Sequence, residues 1–454
     1  MVEGIKNWLA APIGRWAYFS QGFILIAVKY NLDRVIAWVG FRRTWQMSSY
    51  VKPHASASID AVGVSEQGFY LALLLTALPF LFMGLALTWK RLKSAGLHGG
   101  LCLLFFVPAV NLLFFLLLSL LPPRSAERAS SVPPPLPGGW DWLTGALGSI
   151  GIVGLVGTGL VVLGVKVLHN YGSGLFVALP FELGLTSVLI YNYRWPRGLG
   201  ASLRVAVLPV VFIGAALFAI PFEGLICLLM AAPIALVLAL AGGLVGYAIQ
   251  KARHARVSPV VAAAILAATP LFMGMESWID LEPPVLQVSS QVDIDAPPEK
   301  VWPNVVAFSA IPEKREWLFH TGIAYPTHAR IDGCGVGAVR HCIFSTGEFV
   351  EPVQKWDPPR LLAFSVTHQP EPLDELTPYA HIHPPHLDGY IVSKHGELRL
   401  VPLAGNRTRL EGTTWYTNRI WPVNYWELWS DFIIHRIHLR VLNHIKALSE
   451  TTPA

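Results

Sequence analysis

Long, uninterrupted apolar runs constrain the fold of this chain more than any other feature. Two of them are "FYLALLLTALPFLFMGLALTW" and "LCLLFFVPAVNLLFFLLLSLL", and similar runs continue to about residue 275. A mean hydropathy of +0.48, with 53% hydrophobic and 14% charged residues, exceeds what a water-soluble core of this length can bury. From Leu286 onward the sequence has ordinary globular composition. The chain therefore divides into a membrane part and a soluble part.

The membrane part contains about eight windows long enough to cross the bilayer, because a span needs about 20 mostly apolar residues. A Pro- and Ser-rich segment at 122–139 separates them into two groups. We predict a first group of about three helices in 1–125, a second of about five helices and a linker in 126–283, and a ligand-binding domain in 284–454. The windows are 16–32, 68–89, 98–121, 144–166, 174–192, 203–220, 224–249 and 259–275.

The first helical group resembles a small bacterial inner-membrane family of unknown function. In that family a basic Arg-Arg-Leu-His-Asp-type turn precedes a Leu-rich helix that contains Pro and Asn. Here "LTWKRLKSAGLHGGLCLLFFVPAVNLLFFLLLSLLP" carries Lys90, Arg91 and Leu92, with Lys93-Ser94 in place of the His-Asp pair. The resemblance covers residues 15–125 and implies a multi-pass protein of the bacterial inner (plasma) membrane, without implying an activity.

The charges of the loops give two conflicting indications of orientation. Eight crossings place both termini on one side of the membrane. The opposite loops hold more Lys and Arg, so the positive-inside rule makes them cytoplasmic and favours an extracytoplasmic C-terminal domain. The Lys90–Lys93 turn and the family resemblance favour a cytoplasmic N-terminus instead. No Lys/Arg run suggests nucleic acid, so the partners predicted from the sequence are the lipid bilayer and a ligand.

Glu182, within "ALPFELG", is an ionisable residue inside a predicted span. Such a residue costs about 2.5–3.5 kcal/mol at the centre of a helix and must face a partner or a cavity. One interpretation is a paired or protonated carboxyl group that holds helices together. The other is a group on a transport path, although the chain shows no internal repeat of the kind that transporters often have.

The soluble part changes to a pattern of period two, which is typical of strands. After a first strand in "LQVSSQVDID", the segments "APPEKVWPNVVAF" and "IPEKREWLFH" predict two short helices. The segment "WPVNYWELWSDFIIHRIHLRVLNHIKALSE" then predicts one long C-terminal helix, with apolar residues three or four apart. Between them we predict strands at 323–331, 336–344, 347–356, 360–367, 390–401 and 407–417.

This order of elements resembles the helix-grip fold of the SRPBCC superfamily, which includes START domains and polyketide cyclases. The resemblance rests on "VDIDAPPEKVW", "GAVRHCIFSTGEFVEPVQKWDPPRLLAFSV", "RTRLEGTTWY" and "WSDFIIHRIHLRVLNHIK". It implies an α+β domain in which a curved antiparallel sheet wraps a long helix around an apolar cavity that takes a hydrophobic ligand. The expected ligand-site residues, any of which could instead fill the core, are Phe344, Phe349, Phe364, Val366, Leu398, Leu400, Trp415, Tyr416, Trp429, Phe432 and Ile433.

The histidine-rich stretch "HIHPPHLDGY" ends a long connection between two strands. Its prolines cannot pair in a sheet, and connections of this length are usually functional or disordered. His381, His383 and His386, near Asp388, have the spacing of possible metal ligands but lack the oriented partners of a usual metal site. We therefore predict a flap over the cavity or the bilayer, and no metal.

Charged side chains on neighbouring strands, besides the histidines of the predicted flap, are candidates for catalysis. Arg340, His341 and Glu351 could stabilise an anion and move protons. Arg340 and Glu351, together with Arg409 and Glu411, are also typical of a charge ladder on the outer face of a sheet, which is the interpretation we favour. The sequence does not decide whether Cys334 and Cys342 form a disulfide bond.

Taken together, these patterns predict membrane-tethered binding or transfer of a lipid or other hydrophobic small molecule. The first alternative is a polyketide-cyclase-like enzyme that acts on a membrane-dissolved substrate. The second is a transporter or ligand sensor. We expect no cofactor, and binding rather than enzymatic activity.

Overall fold

The computed structural model describes residues 11–43, 45–50, 64–106, 110–121, 141–193, 197–253, 265–278, 282–312, 316–379 and 382–451. The chain forms two compact units. The first comprises Met1–Leu217 and Ala231–Leu281, and the second comprises Phe218–Met230 and Glu282–Ala454. A short segment from the membrane part of the sequence therefore groups with the C-terminal domain.

The first unit is helical. Two of its helices, α6 and α7, extend into the segment Phe218–Met230 of the second unit. The α-helices are α1 (Arg15–Val35), α2 (Val64–Ala95), α3 (Val110–Leu120), α4 (Asp141–Val162), α5 (Leu179–Tyr191), α6 (Leu199–Ala219), α7 (Leu225–Arg253) and α8 (Ala268–Trp278).

Five helices in the described part of the chain are long and apolar enough to cross a membrane. They coincide with five of the eight predicted windows. The window 98–121 is instead divided into a 3₁₀ helix, Gly99–Phe106, and α3, and the sequence places Pro108, which lacks a backbone donor, between them. The five are Gly68–Ala95, Ala146–Val167, Gly174–Tyr191, Leu199–Ala219 and Leu225–Lys251.

Of the two remaining windows, 16–32 is helical as part of α1. The helix α1 carries a buried Asp33, whose carboxylate pairs with Lys29 at 2.5 Å. The window 259–275 lies partly outside the described residues, and its last part belongs to α8.

Small residues let α5 and α7 pack closely. A Cβ added to Gly184 would overlap the backbone carbonyl of Ala239, and one added to Gly242 would overlap the carbonyl of Phe181. Close backbone approach of this kind is the usual basis of helix association in membranes, where lipid and side chains are equally apolar.

The basic turn at the end of α2 has a structural role. Arg91 is fully buried and donates hydrogen bonds to the carbonyl of Leu118 at 2.9 Å and to that of Leu121. These carbonyls belong to the last turn of α3 and the residue after it, where the helix leaves acceptors without internal donors. The guanidinium therefore caps one helix from the end of another.

The second unit contains a curled antiparallel sheet of seven strands. The sheet order is β1-β7-β6-β5-β4-β3-β2, so the first and last strands pair along their full length. The strands are β1 (Val285–Ile294), β2 (Pro326–Asp332), β3 (Val339–Phe344), β4 (Gly347–Asp357), β5 (Leu361–Ser365), β6 (Ile391–Leu403) and β7 (Arg407–Asn418).

Two helices complete the C-terminal domain: α9 (Pro298–Val306) and the long α10 (Val423–Thr451). Leu442 and Ile445 of α10 pack into the main core with strand residues such as Leu362 and Leu410. The predicted helix-grip fold is confirmed. Its second short helix is only a 3₁₀ turn, Trp317–Thr321.

Candidate functional site

An apolar cavity of about 140 Å³ lies between the sheet and α10. The sheet contributes three phenylalanines, Phe344, Phe349 and Phe364, and the helix contributes Ile434, Ile437 and Val441 among others. Phe344 and Phe349 lie against each other, with ring centroids 4.7 Å apart. The cavity exists because α10 fills only part of the space that the curled sheet encloses.

Five of the eleven residues predicted to form the ligand site line this cavity. They are Phe344, Phe349, Phe364, Val366 and Leu398. They lie on β3, β4, β5 and β6 or directly after β5. The alternation of side chains along a strand accounts for this part of the wall.

The other six residues lie away from the cavity lining. Leu400 belongs to the solid core, and Trp415 stacks on His395 with ring centroids 4.3 Å apart. The buried Tyr416 hydroxyl donates to Asp431 at 2.7 Å. Trp429, Phe432 and Ile433 do not line the cavity, and the last two pack beside Leu318 and Phe319.

The predicted helical positions and the cavity-lining ones lie on different faces of α10, because this helix carries apolar residues on more than one face. Its cavity face consists of Ile434, Ile437, His438, Val441 and Leu442, with spacings of three and four. Phe432 and Ile433 fall on a neighbouring face that packs against other residues of the domain.

The charged pair Arg340–Glu351 lies in the cavity wall. The two residues oppose each other directly in the pairing of β3 with β4, and their side chains form an ion pair with relative exposures of 3% and 8%. The guanidinium also lies over the ring of Phe364, 5.4 Å from its centroid. The outer-face ladder is therefore the wrong interpretation for this pair, which faces inward.

Burial dominates the electrostatics around this pair. It raises the pKa of the Glu351 carboxyl, and the neighbouring Arg340 opposes that shift without cancelling it. Burial also raises the pKa of the Cys342 thiol to about 12. The thiol is therefore protonated at neutral pH.

His341 lies on the opposite face of β3 from Arg340. Its ring nitrogens lie 3.2 Å from Glu348 and 3.4 Å from Asp332, and it does not line the cavity. The structure therefore brings Arg340 and Glu351 together but separates them from the third catalytic candidate. Adjacent strand residues point to opposite faces, which explains the separation.

Arg409 does take part in an exposed cross-strand pair, as the ladder interpretation predicts. Its partner is Asp293 of β1, at 2.8 Å, rather than Glu411. Cys334 is exposed and Cys342 is buried, and both are free thiols.

A half-buried histidine that the sequence analysis missed completes the polar wall. His438 lines the cavity, and its Nε2 and Nδ1 atoms lie 2.8 Å from the Thr414 hydroxyl and 3.1 Å from the Ser290 hydroxyl. Burial, assisted by nearby His435, lowers the pKa of His438 to about 4. A signal was available: His438 follows Ile434 by four residues and precedes Val441 by three, on one apolar stripe.

The predicted flap is the connection between β5 and β6, and it contains a 3₁₀ turn at Pro385–Leu387. His383 contacts Asp388 at 2.9 Å and Glu371 at 3.2 Å near the surface. His386 is directed elsewhere, toward Glu375 and Glu223. His381 lies outside the described residues. Movement of this segment as a flap stays a prediction.

Glu182 lies in the helical unit and lines a cavity of about 320 Å³. Its side chain accepts a hydrogen bond from Thr269 of α8, which links α5 to that helix. The other polar residues that line this cavity are Arg15 and Ser119. Both roles proposed for Glu182, helix linkage and transport, remain predictions.

Comparison with known proteins bears on the C-terminal domain alone. Residues 285–417 match a family model described as polyketide cyclase / dehydrase and lipid transport. The match supports the SRPBCC resemblance, and it does not reach the helical unit. No curated protein matches the chain at a significant level.

Several solved structures are similar to this domain. A point mutant of norcoclaurine synthase from Thalictrum flavum is 14% identical, with a TM-score of 0.25, over 37% of this chain and 97% of that one. The ZhuI aromatase/cyclase from Streptomyces sp. R1128 is 16% identical, with a TM-score of 0.23, over 37% and 94%. A protein from Nitrosospira multiformis is 18% identical, with a TM-score of 0.24, over 36% and 97%.

Proposed function

We propose that the C-terminal domain binds a small hydrophobic molecule, or the end of a larger one, in the cavity between the sheet and α10. The single observation that carries this proposal is a cavity with apolar walls and one buried polar side. The family description, which includes lipid transport, agrees with a hydrophobic ligand.

The size of the cavity restricts the ligand. About 140 Å³ is less than the roughly 300–1,000 Å³ of most small-molecule sites. It is close to the volume of about 150 Å³ at which an apolar protein cavity accommodates benzene. The cavity therefore fits one aromatic ring or a short length of alkyl chain, whereas a whole phospholipid would require the domain to open.

The polar side of the cavity orients the ligand. Arg340, Glu351 and His438 all reach the lining, while the three phenylalanines form the apolar wall. A ligand with one hydroxyl or carbonyl group would place it toward these three side chains, because a buried polar group needs a hydrogen-bonding partner.

The five apolar helices suit a protein held in a membrane, and we propose that this is the bacterial inner membrane. A hydrophobic ligand is concentrated in lipid, so a tethered domain can exchange it with the bilayer without a passage through bulk water.

The test is native mass spectrometry of the full chain released from detergent micelles, with bound small molecules identified after dissociation. Gly412→Ile should remove them, because a Cβ at Gly412 would already lie 3.4 Å from Leu398 and 3.5 Å from Leu442, and the added branches would occupy the cavity. We expect at least a tenfold lower occupancy than in the wild type.

Gln291→Ile is the matched control, since it adds the same side chain at an exposed position of β1 beside β7. The fraction of Gln291→Ile that carries a bound molecule should equal that of the wild type. Any loss of ligand to the detergent affects the two proteins equally. Equal occupancy in Gly412→Ile, or no bound molecule in the wild type, would overturn the proposal.

An enzyme is the second candidate, because Arg340, Glu351 and His438 converge on one cavity. Groups with perturbed pKa values in a cavity are typical of catalytic sites. Glu351→Gln removes the proton-transfer group and nearly preserves its shape. If the domain is an enzyme, the variant should retain a different molecule, the unconverted substrate. If the domain is a carrier, the bound molecule should be the same.

A further inference from the structure

We propose that Glu223, Cys227, Glu375 and His386 form a binding site for a divalent transition-metal ion such as zinc. One donor atom from each of the four side chains lies within 4.8 Å of the others. All four residues belong to the second compact unit, and none of them lines the apolar cavity. The site is therefore separate from the proposed ligand site.

The four residues come from two distant parts of the sequence. Glu223 lies between α6 and α7, and Cys227 lies in the first turn of α7. Glu375 and His386 belong to the connection between β5 and β6. A backbone hydrogen bond from Leu225 to the carbonyl of Leu376, at 3.0 Å, holds the two parts together next to the cluster.

The distances resemble those of a metal coordination shell. The Cys227 Sγ atom lies 3.1 Å from Glu375 Oε1 and 3.2 Å from His386 Nε2, and the last two atoms are 3.8 Å apart. Ligand atoms around tetrahedral zinc, with bonds of about 2.0–2.3 Å, lie roughly 3.3–3.8 Å from one another. An ion among these three atoms thus requires only small adjustments of their side chains. Glu223, whose Oε2 lies 3.5 Å from Nδ1 of the same ring, would complete the shell by moving toward the ion from within 4.8 Å.

Glu375 provides an independent indication of a missing cation. Its side chain is completely buried, and its Oε2 atom has no hydrogen-bond partner among the described residues. A Cβ on Gly224 would overlap that same oxygen, so glycine at this position leaves room for the carboxylate to enter. A buried carboxylate oxygen without a partner is costly, and coordination of a cation would compensate for it.

Charge leads to the same conclusion. Two glutamate side chains are buried beside a single imidazole, whose Nδ1 lies 3.5 Å from Glu223 Oε2. One imidazolium can neutralise at most one carboxylate. A divalent ion can compensate for both, and thiolate, imidazole and carboxylate are all ligands that zinc accepts.

A set of four protein ligands leaves no open position, which is typical of a structural zinc site. The ion would fasten the β5–β6 connection to the segment Phe218–Met230 within this unit. The histidine-rich stretch would then contribute one metal ligand, His386, rather than three. Binding of the ion requires neutral imidazole and deprotonated ligands, so it would release protons.

The test uses the full chain without a histidine tag, purified in detergent, stripped with a chelator and titrated with Zn²⁺ or Co²⁺. We expect one ion per chain by elemental analysis. Bound Co²⁺ should show the absorption of a tetrahedral site with a thiolate charge-transfer band. Cys227→Ser should abolish that band, whereas Cys334→Ser, at an exposed thiol outside the cluster, should keep it.

His386→Ala and Glu375→Gln should each weaken Zn²⁺ binding by on the order of 100-fold or more, because even outer-shell changes cost about 10–100-fold. The matched control is His383→Ala, three residues away and outside the cluster, which should bind Zn²⁺ as the wild type does. If the cluster variants fail to fold, the cobalt spectrum of the wild type still decides the question. A wild-type protein without stoichiometric metal, or with no sulfur ligand, would overturn the proposal.

Discussion

The buried pair Arg340–Glu351 is the most consequential contact of single residues in the C-terminal domain. Arginine cannot lose its charge inside a protein, so its carboxylate partner is required wherever the guanidinium is buried. Glu351→Leu should destabilise the domain by about 3–5 kcal/mol, because it leaves the cation without compensation. The measurement is hydrogen–deuterium exchange of the β3 and β4 amides in the full chain.

The double variant Arg340→Met/Glu351→Leu should recover most of that loss, since apolar pairs of similar volume often replace buried ion pairs at little cost. A double variant that exchanges as fast as Glu351→Leu would show that the loss comes from packing rather than charge.

His438 should make the stability of the C-terminal domain depend on pH. Its pKa is lowered from 6.5 to about 4 in the folded protein, so the unfolded chain binds the proton more tightly. Neutral His438 makes its full contribution to the free energy of unfolding above pH 6.5. This contribution falls as the pH decreases from 6.5 to 4, and it is lost below about pH 4. Its full size is about 3 kcal/mol, at 1.36 kcal/mol per pKa unit.

The measurement is exchange of the β7 amides at several pH values, corrected for intrinsic rates, in the wild type and in His438→Gln. The variant should lose less stability between pH 7 and pH 5. Parallel pH dependence in the two proteins would assign the effect to other groups.

Among the elements, the strands were predictable and the inward face of the long helix was not. Period-two alternation located all seven strands, since one face of each is buried. It did not decide which face Arg340 occupies, because its two neighbours in sequence, Val339 and His341, are only partly buried themselves. For α10, a face that borders a cavity and one that fills the core have the same apolar spacing.

Packing of α5 against α7 depends on backbone contact at glycine. Gly242→Val should disrupt the helical unit, because its Cβ would overlap the carbonyl of Phe181, a rigid backbone atom. Gly214→Val in α6 is the matched control, since nothing lies within 4 Å of its added Cβ. The thermal aggregation temperature in detergent should fall for Gly242→Val alone. Equal values for the two variants would remove close helix packing as the explanation.

On the scale of the whole molecule, the most important feature that the sequence did not predict is the segment Phe218–Met230. The hydropathy pattern divides the chain at about residue 283. The segment precedes that boundary, yet it belongs to the same compact unit as Glu282–Ala454. Local periodicity contains no information on a contact between Cys227 and Glu375, which are 148 residues apart. The four residues of the proposed metal site could therefore not be grouped from spacing, and only His386 was a candidate ligand.

The same segment gives an argument about the side of the membrane. The α6–α7 loop, residues 220–224, contains no Lys or Arg, whereas Arg194 and Arg197 precede α6 and Lys251, Arg253 and Arg256 lie at or after the end of α7. Two consecutive spans place the loop opposite these basic residues, which the positive-inside rule makes cytoplasmic. Because the loop groups with Glu282–Ala454, we expect the C-terminal domain outside the cytoplasm.

The exposed thiol of Cys334 provides a native reporter of this orientation. A membrane-impermeant maleimide should label it in intact spheroplasts, and Cys334→Ser should remove the label. Gly198→Cys, in the basic loop before α6 and in a Cys334→Ser background, should become labelled only after lysis, since we expect that loop on the cytoplasmic side. The reverse pattern would place the domain in the cytoplasm, where the proposed ligand exchange would take place with the inner leaflet instead of the outer one.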